Sequence, residues 1–186
     1  MSYNQNVGSN SKYGSLKVGT GLLVSDGIIS TTGTSGDSYY GKFYSSANQT
    51  NTAINTALVV SFPNTTLSNQ ISTSGNTITF AKAGVYIVTY ELQAEITSGG
   101  GGDISVWASN GTNLPNSNTI TTLEGGGDKT IINKSFLVSI TAGETFRIQW
   151  SSSVVNMRLT AVGTQTGPTR PATNSANFLA TLVKAL

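Results

Sequence analysis

From Gly84 to Ile96 the chain reads GVYIVTYELQAEI, and every second residue from Tyr86 onward is apolar: Tyr86, Val88, Tyr90, Leu92, Ala94 and Ile96. Successive side chains leave a strand on opposite sides, so this period of two marks a strand with one buried face. The intervening residues start apolar at Val85 and Ile87 and turn polar through Thr89, Glu91, Gln93 and Glu95. One end of the strand is therefore expected to be covered on both faces. The sequence leaves open what covers it.

The remainder of the chain suits the same kind of structure. At 186 residues it fits one domain with a short appendage and can bury a real core. Only 10% of its residues are charged. Ser, Thr, Asn and Gly are abundant, and Thr, Val, Ile and aromatics favour pleated surfaces while Asn, Ser and Gly favour turns. From Gly41 onward about nine candidate strands follow one another, separated by Gly, Asn, Pro or Asp clusters, at the spacing of two packed antiparallel sheets. Beyond the opening row, Val106 and Ala108, Ile132, Phe136 and Val138, Phe146, Ile148 and Trp150, and Leu179 with Val183 are the inward-facing candidates.

Before Gly41 the composition changes. Residues 1–15 are polar, with Tyr3, Val7 and Tyr13 as their larger apolar groups, and form an N-terminal arm that cannot bury enough surface to fold alone. Residues 16–40 hold Leu16, Val18, Leu22, Val24, Ile28 and Ile29 between Gly-containing turns, which predicts two short strands around Ser25-Asp26-Gly27. The segment 41–186 is the expected sandwich domain.

Absent residue types narrow the chemistry. With no Cys and no His there are no disulfides, thiolate nucleophiles or imidazole bases, and almost no zinc arrangement is open. Glu91 and Glu95 fall about 13 Å apart on one strand face, too far for a shared carboxylate site, and are expected to be solvated. The GGGGD stretch at Gly99–Asp103 lacks the Lys-Ser/Thr end of a phosphate loop and is expected to be a flexible hairpin tip. No catalytic, cofactor-binding or metal-binding residue is therefore assigned, and no enzyme is expected. A net charge of +2 with dispersed basic residues gives no nucleic-acid surface. No window approaches a membrane span and the N-terminus carries no signal-like segment, so synthesis in a cytoplasm without membrane insertion is expected.

Several stretches together resemble a known family. ITFAKAGVYIVTYELQ, SVWASNGTNLPNS, SFLVSITAGETFRIQW and the closing NFLATLVKAL stand in the order of the C1q/tumour-necrosis-factor-like jelly roll. The matching positions are Ile78 and Phe80 before the turn, Gly84, Tyr86 and Tyr90 after it, Asn110-Gly111 in a hairpin, and Ala142-Gly143-Glu144 in a later turn. The low charge and the segment GKFYSSANQTNTAINTALVVSF are similar to versions of this fold in virion proteins of tailed bacteriophages, including those of cyanobacteria. LKVGTGLLVSDGIIS resembles a single unit of a viral fibre shaft.

The resemblance implies an all-β antiparallel jelly-roll sandwich that forms a homotrimer, with Tyr86, Tyr90, Phe146, Trp150 and Phe178 in the core or at the threefold contact. It further implies a structural virion protein, made in the host cytoplasm: a trimeric capsid decoration, cement or head-fibre protein that binds and stabilises the shell. Its partners would be the major capsid protein or other virion proteins. Tyr3, Val7, Tyr13, Leu16, Val18 and Leu22 are the attachment candidates. The alternative is a tail-fibre tip that binds a host surface receptor or glycan.

Overall fold

The computed structural model describes residues 22–25, 28–31 and 38–186. Contacts divide the chain into two units, Met1–Asp37 and Ser38–Leu186. In the first, β1 (Leu22–Ser25) and β2 (Ile28–Thr31) pair antiparallel, from Leu22↔Thr31 to Ser25↔Ile28. This is the hairpin expected around Ser25-Asp26-Gly27. Of the attachment candidates, Leu22 opens β1, while Tyr3, Val7, Tyr13, Leu16 and Val18 lie outside the described residues.

The second unit contains strands β3 (Tyr40–Ser45), β4 (Gln49–Thr50), β5 (Leu58–Val59), β6 (Asn64–Asn69), β7 (Ile71–Ser74), β8 (Thr77–Phe80) and β9 (Gly84–Ile96). They are followed by β10 (Gly100–Ser109), β11 (Thr119–Gly125), β12 (Lys129–Ile140), β13 (Thr145–Ser152), β14 (Met157–Leu159) and β15 (Ala176–Ala185). One sheet runs β11-β10-β13-β8-β7, with β5 also on β13. The other runs β4-β14-β9-β15-β3-β6, with β12 along the free edge of β9. Every pairing is antiparallel. Among the described residues no helix is long and apolar enough to cross a membrane.

The opening row behaves as its period requires. Tyr86, Val88, Tyr90, Leu92, Ala94 and Ile96 are all fully buried. They meet Ile104, Val106, Ala108, Phe146, Ile148 and Trp150 of the other sheet in one core, so the sandwich itself covers this face. Removing that apolar area from water is the main favourable contribution to folding, at about 25 cal/mol per Å². Four strands absent from the sequence expectation, β4, β6, β7 and β11, lie at the ends of the two sheet paths. Edge strands are commonly polar, which hides them from a search for buried rows.

The last strand departs from expectation. In NFLATLVKAL both alternations are apolar, and Leu179 with Val183 was expected to face inward. Instead Ala176, Phe178 and Ala180 are buried, and Leu179 and Val183 are 42% and 60% exposed. Pairing of Phe178 with Phe43 and Tyr90 fixes this parity, and a bulge between Leu182 and Lys184 then shifts the register along β9. That bulge also accounts for the glycine of the Gly-x-Tyr motif. A Cβ on Gly84 would clash with Leu182 Cδ1 and stand 2.7 Å from the carbonyl oxygen of Lys184, so the backbone of β15 can approach only a residue without a side chain.

Candidate functional site

Tyr86, Tyr90, Phe146, Trp150 and Phe178 are each no more than 1% exposed in the single chain. Of the two places left open to them, core or threefold contact, they occupy the first. Phe146 lies 6.0 Å from both Phe80 and Phe178 and 6.5 Å from Phe136, ring centre to ring centre. The Tyr90 hydroxyl sits 3.1 Å from the carbonyl oxygens of Val106 and Ser117 and from the hydroxyl of Thr119. Burial pushes its pKa up, so it remains a neutral donor. Side chains this enclosed offer almost no area to a second copy, so of the two expected places the core is the one their own chain provides.

An uncovered apolar surface belongs to the opposite alternation of β9 and β15, continued onto β12. Ile87 pairs with Leu137 on β12 and Thr181 on β15, and Leu179 stands diagonal to Ile87, opposite Thr89. Ile87, Leu137, Leu179 and Val183 are 40%, 63%, 42% and 60% exposed. Further along, the face turns polar: Thr89 Oγ1 lies 2.7 Å from Ser135 Oγ, and Asn177 donates to Glu91 at 3.1 Å. The apolar end of the alternate row is thus uncovered by its own chain. Scattered exposed aliphatic residues are ordinary on a soluble protein, but adjacent ones forming a patch rimmed by polar groups mark an interaction surface.

No family model matches this sequence, and no curated protein does. Among solved structures, the globular domain of zebrafish complement 1qA superposes with a TM-score of 0.52 at 10% identity, covering 81% of this chain and all of that one. Murine APRIL at pH 8.0 gives 0.51 at 9% identity over 79% of this chain and all of its own. The fold is a C1q/TNF-like jelly roll. Identity this low shows the architecture alone.

Within this jelly roll the carboxylates expected to be solvated divide. Glu91 is exposed, whereas Glu95 is 8% exposed and held between two cations. Lys129 Nζ donates to its Oε1 at 2.6 Å, and Arg158 Nη2 and Nε reach Oε2 at 2.7 and 2.8 Å. The correction has a positional cause: Lys129 lies directly across from Glu95 on β12, and Arg158 directly across on β14. Sequence separations of 34 and 63 residues kept this cluster out of sight. Burial pushes the Glu95 carboxyl upward, but the Lys129 and Arg158 hydrogen bonds outweigh it and hold the pKa at about 2, against 4.5 ordinarily.

A carboxyl lowered in the folded state contributes stability that is present above its unfolded pKa and is lost as pH falls toward the folded one. The window here is pH 4.5 down to about 2. Glu95→Gln is expected to lower stability at pH 7 by about 2 kcal/mol, since hydrogen bonds to charged groups contribute about 1.5–3 kcal/mol. Its advantage-free curve should converge on the parent as pH falls through that window. Denaturant midpoints from pH 2 to 7 for both proteins check this; a constant difference at every pH would remove the ion cluster as the cause.

The GGGGD stretch, expected to be a flexible hairpin tip, is tied to the neighbouring glycine-rich turn at residues 124–129. Gly100 pairs with Gly125, Gly126 N–H donates to Gly99 O at 2.9 Å, and Asp128 Oδ2 accepts from the N–H groups of Glu124 and Gly125. Among the described residues no three acidic groups converge as a metal site would need.

Proposed function

We propose that this chain is a non-enzymatic structural protein of a bacteriophage virion, a homotrimeric jelly-roll module that decorates or cements the capsid or forms a head fibre. The observation carrying the assembly is the uncovered apolar patch around Ile87 and Leu137. Three copies arranged about an axis would cover one another's patch, as closed cyclic symmetry allows. The virion role is supported by the sequence resemblance of GKFYSSANQTNTAINTALVVSF and LKVGTGLLVSDGIIS to phage and fibre segments. Residues 1–40 would attach the module to the major capsid protein or another virion protein, stabilising the shell by binding its assembled state.

Cryo-electron microscopy of intact particles tests this. Threefold density on the head, anchored through the N-terminal segment, is the expected result. Absence of the chain from purified virions would overturn the proposal, and density at the distal end of a fibre would transfer it to the alternative, a tip that binds a host receptor or glycan. On the other sheet, cavities of about 350 and 550 Å³ lined by Trp107, Asn118, Arg147 and Gln149 favour that alternative.

A further inference from the structure

The outer face of the β10–β13 sheet carries a feature used neither by the core nor by the proposed trimer contact. Of the two tryptophans, Trp150 is buried at 1% exposure, but Trp107 belongs to the outward alternation of β10 and is only partly covered. Its Nε1 donates to Asn113 Oδ1 at 2.9 Å, which fixes the indole against the β10–β11 loop. Two cavities meet at Asn113. One, of about 350 Å³, is lined by Trp107, Asn118, Ser105 and Ser151; the other, of about 550 Å³, is lined by Arg147, Gln149, Thr112 and Thr145. Both volumes fall within the roughly 300–1,000 Å³ of small-ligand sites.

The loop over the groove is fixed in place. Ser117, fully buried, accepts from Ala108 N–H through its Oγ at 3.0 Å and donates to Leu114 O at 2.7 Å. Asn110 Nδ2 donates to Glu144 Oε1 at 2.6 Å, and Tyr90 reaches the Ser117 carbonyl from the core. A site so held loses little conformational freedom when a ligand arrives.

The lining identifies a chemistry. A partly exposed indole offers a flat apolar face with its polar edge already satisfied, suited to stacking against the C–H face of a sugar ring. Around it stand amides and hydroxyls, which combine donors and acceptors as hydroxyl-rich ligands require. No lining residue is acidic. Arg147 Nε contacts Thr77 Oγ1 at 3.3 Å, and its terminal nitrogens make no hydrogen bond or ion pair among the described residues. That leaves a planar cationic fork matched to a carboxylate. We infer that this groove binds an acidic oligosaccharide, one ring stacked on Trp107 and a neighbouring uronic or sialic acid residue bound through its carboxylate to Arg147. The site lies on the sheet opposite the apolar patch, and its occupancy does not depend on where in a particle the chain sits.

The full chain should be tested on a printed array of oligosaccharides with and without uronic or sialic acid residues. Array ligands would then be titrated in solution while tryptophan emission is followed. Acidic members are expected to bind, and binding should perturb Trp107, because Trp150 is enclosed. Trp107→Ala and Arg147→Gln should each weaken binding about ten-fold or more, with Trp107→Tyr retaining most of it. Unchanged thermal midpoints would show that the variants fold; should Trp107→Ala unfold, Arg147→Gln and Trp107→Tyr carry the test. Three results would overturn the inference: no acidic member bound, neutral members bound equally well, or affinity unchanged in Arg147→Gln.

Discussion

Phe146→Ala is expected to lower the unfolding free energy of the jelly roll by about 3–5 kcal/mol, the range for deleting a buried aromatic ring. The phenyl ring is fully buried and touches three others, Phe80, Phe136 and Phe178, which come from both sheets. Its loss leaves a void that no single neighbour can fill. Because whole domains are stable by only about 5–15 kcal/mol, the variant should unfold at much lower denaturant. Urea midpoints by circular dichroism, at several protein concentrations to separate assembly from folding, check this. A loss below about 1 kcal/mol would mean that the surrounding rings collapse into the space and that the core is less constrained than its packing implies.

Ile87→Glu combined with Leu137→Glu should abolish the proposed trimer while leaving the fold intact. The two side chains lie directly across from each other on β9 and β12 and face away from the core. Two carboxylates there would stay hydrated in a monomer, yet would be desolvated and mutually repelling in an interface. Sedimentation equilibrium at micromolar concentration should show three chains for the parent and one for the variant, with circular dichroism unchanged. A variant still trimeric would move the interface elsewhere, and a monomeric parent would remove trimerisation from the proposed function. Along β9 itself the two roles alternate: Tyr86 and Val88 are buried in the chain's own core, while Ile87 between them stands 40% exposed on the surface proposed to meet another copy.

Much of this division was legible along the sequence where only one alternation is apolar. Tyr86 to Ile96 could be assigned to the core because moving that row outward would expose six apolar residues. Its polar counterpart pointed away from it through Thr89, Glu91 and Gln93, but Glu95 at the end of that row is buried between Lys129 and Arg158. Val85 and Ile87 led to the expectation that this end of the strand is covered on both faces, whereas its own chain leaves Ile87 40% exposed. Trp107, by contrast, stood in the SVWASNG segment without any sign that it would line a groove. Recognising it requires Asn113 from the returning loop and Arg147 from a strand 40 residues on.

The sequence by itself determined the all-β class, the central strand and its buried row, the hairpin near Asp26, and the lack of thiol and imidazole chemistry, since each rests on local pattern or on residue types present or absent. Only the tertiary structure decided the parity of β15, the pairing of Glu95 with Lys129 and Arg158, and the place of five aromatic residues in the core. The physical reason is the same in all three. A strand's period states that its two faces differ, but which face is buried, and what lies across from each residue, depends on register between strands far apart in the chain.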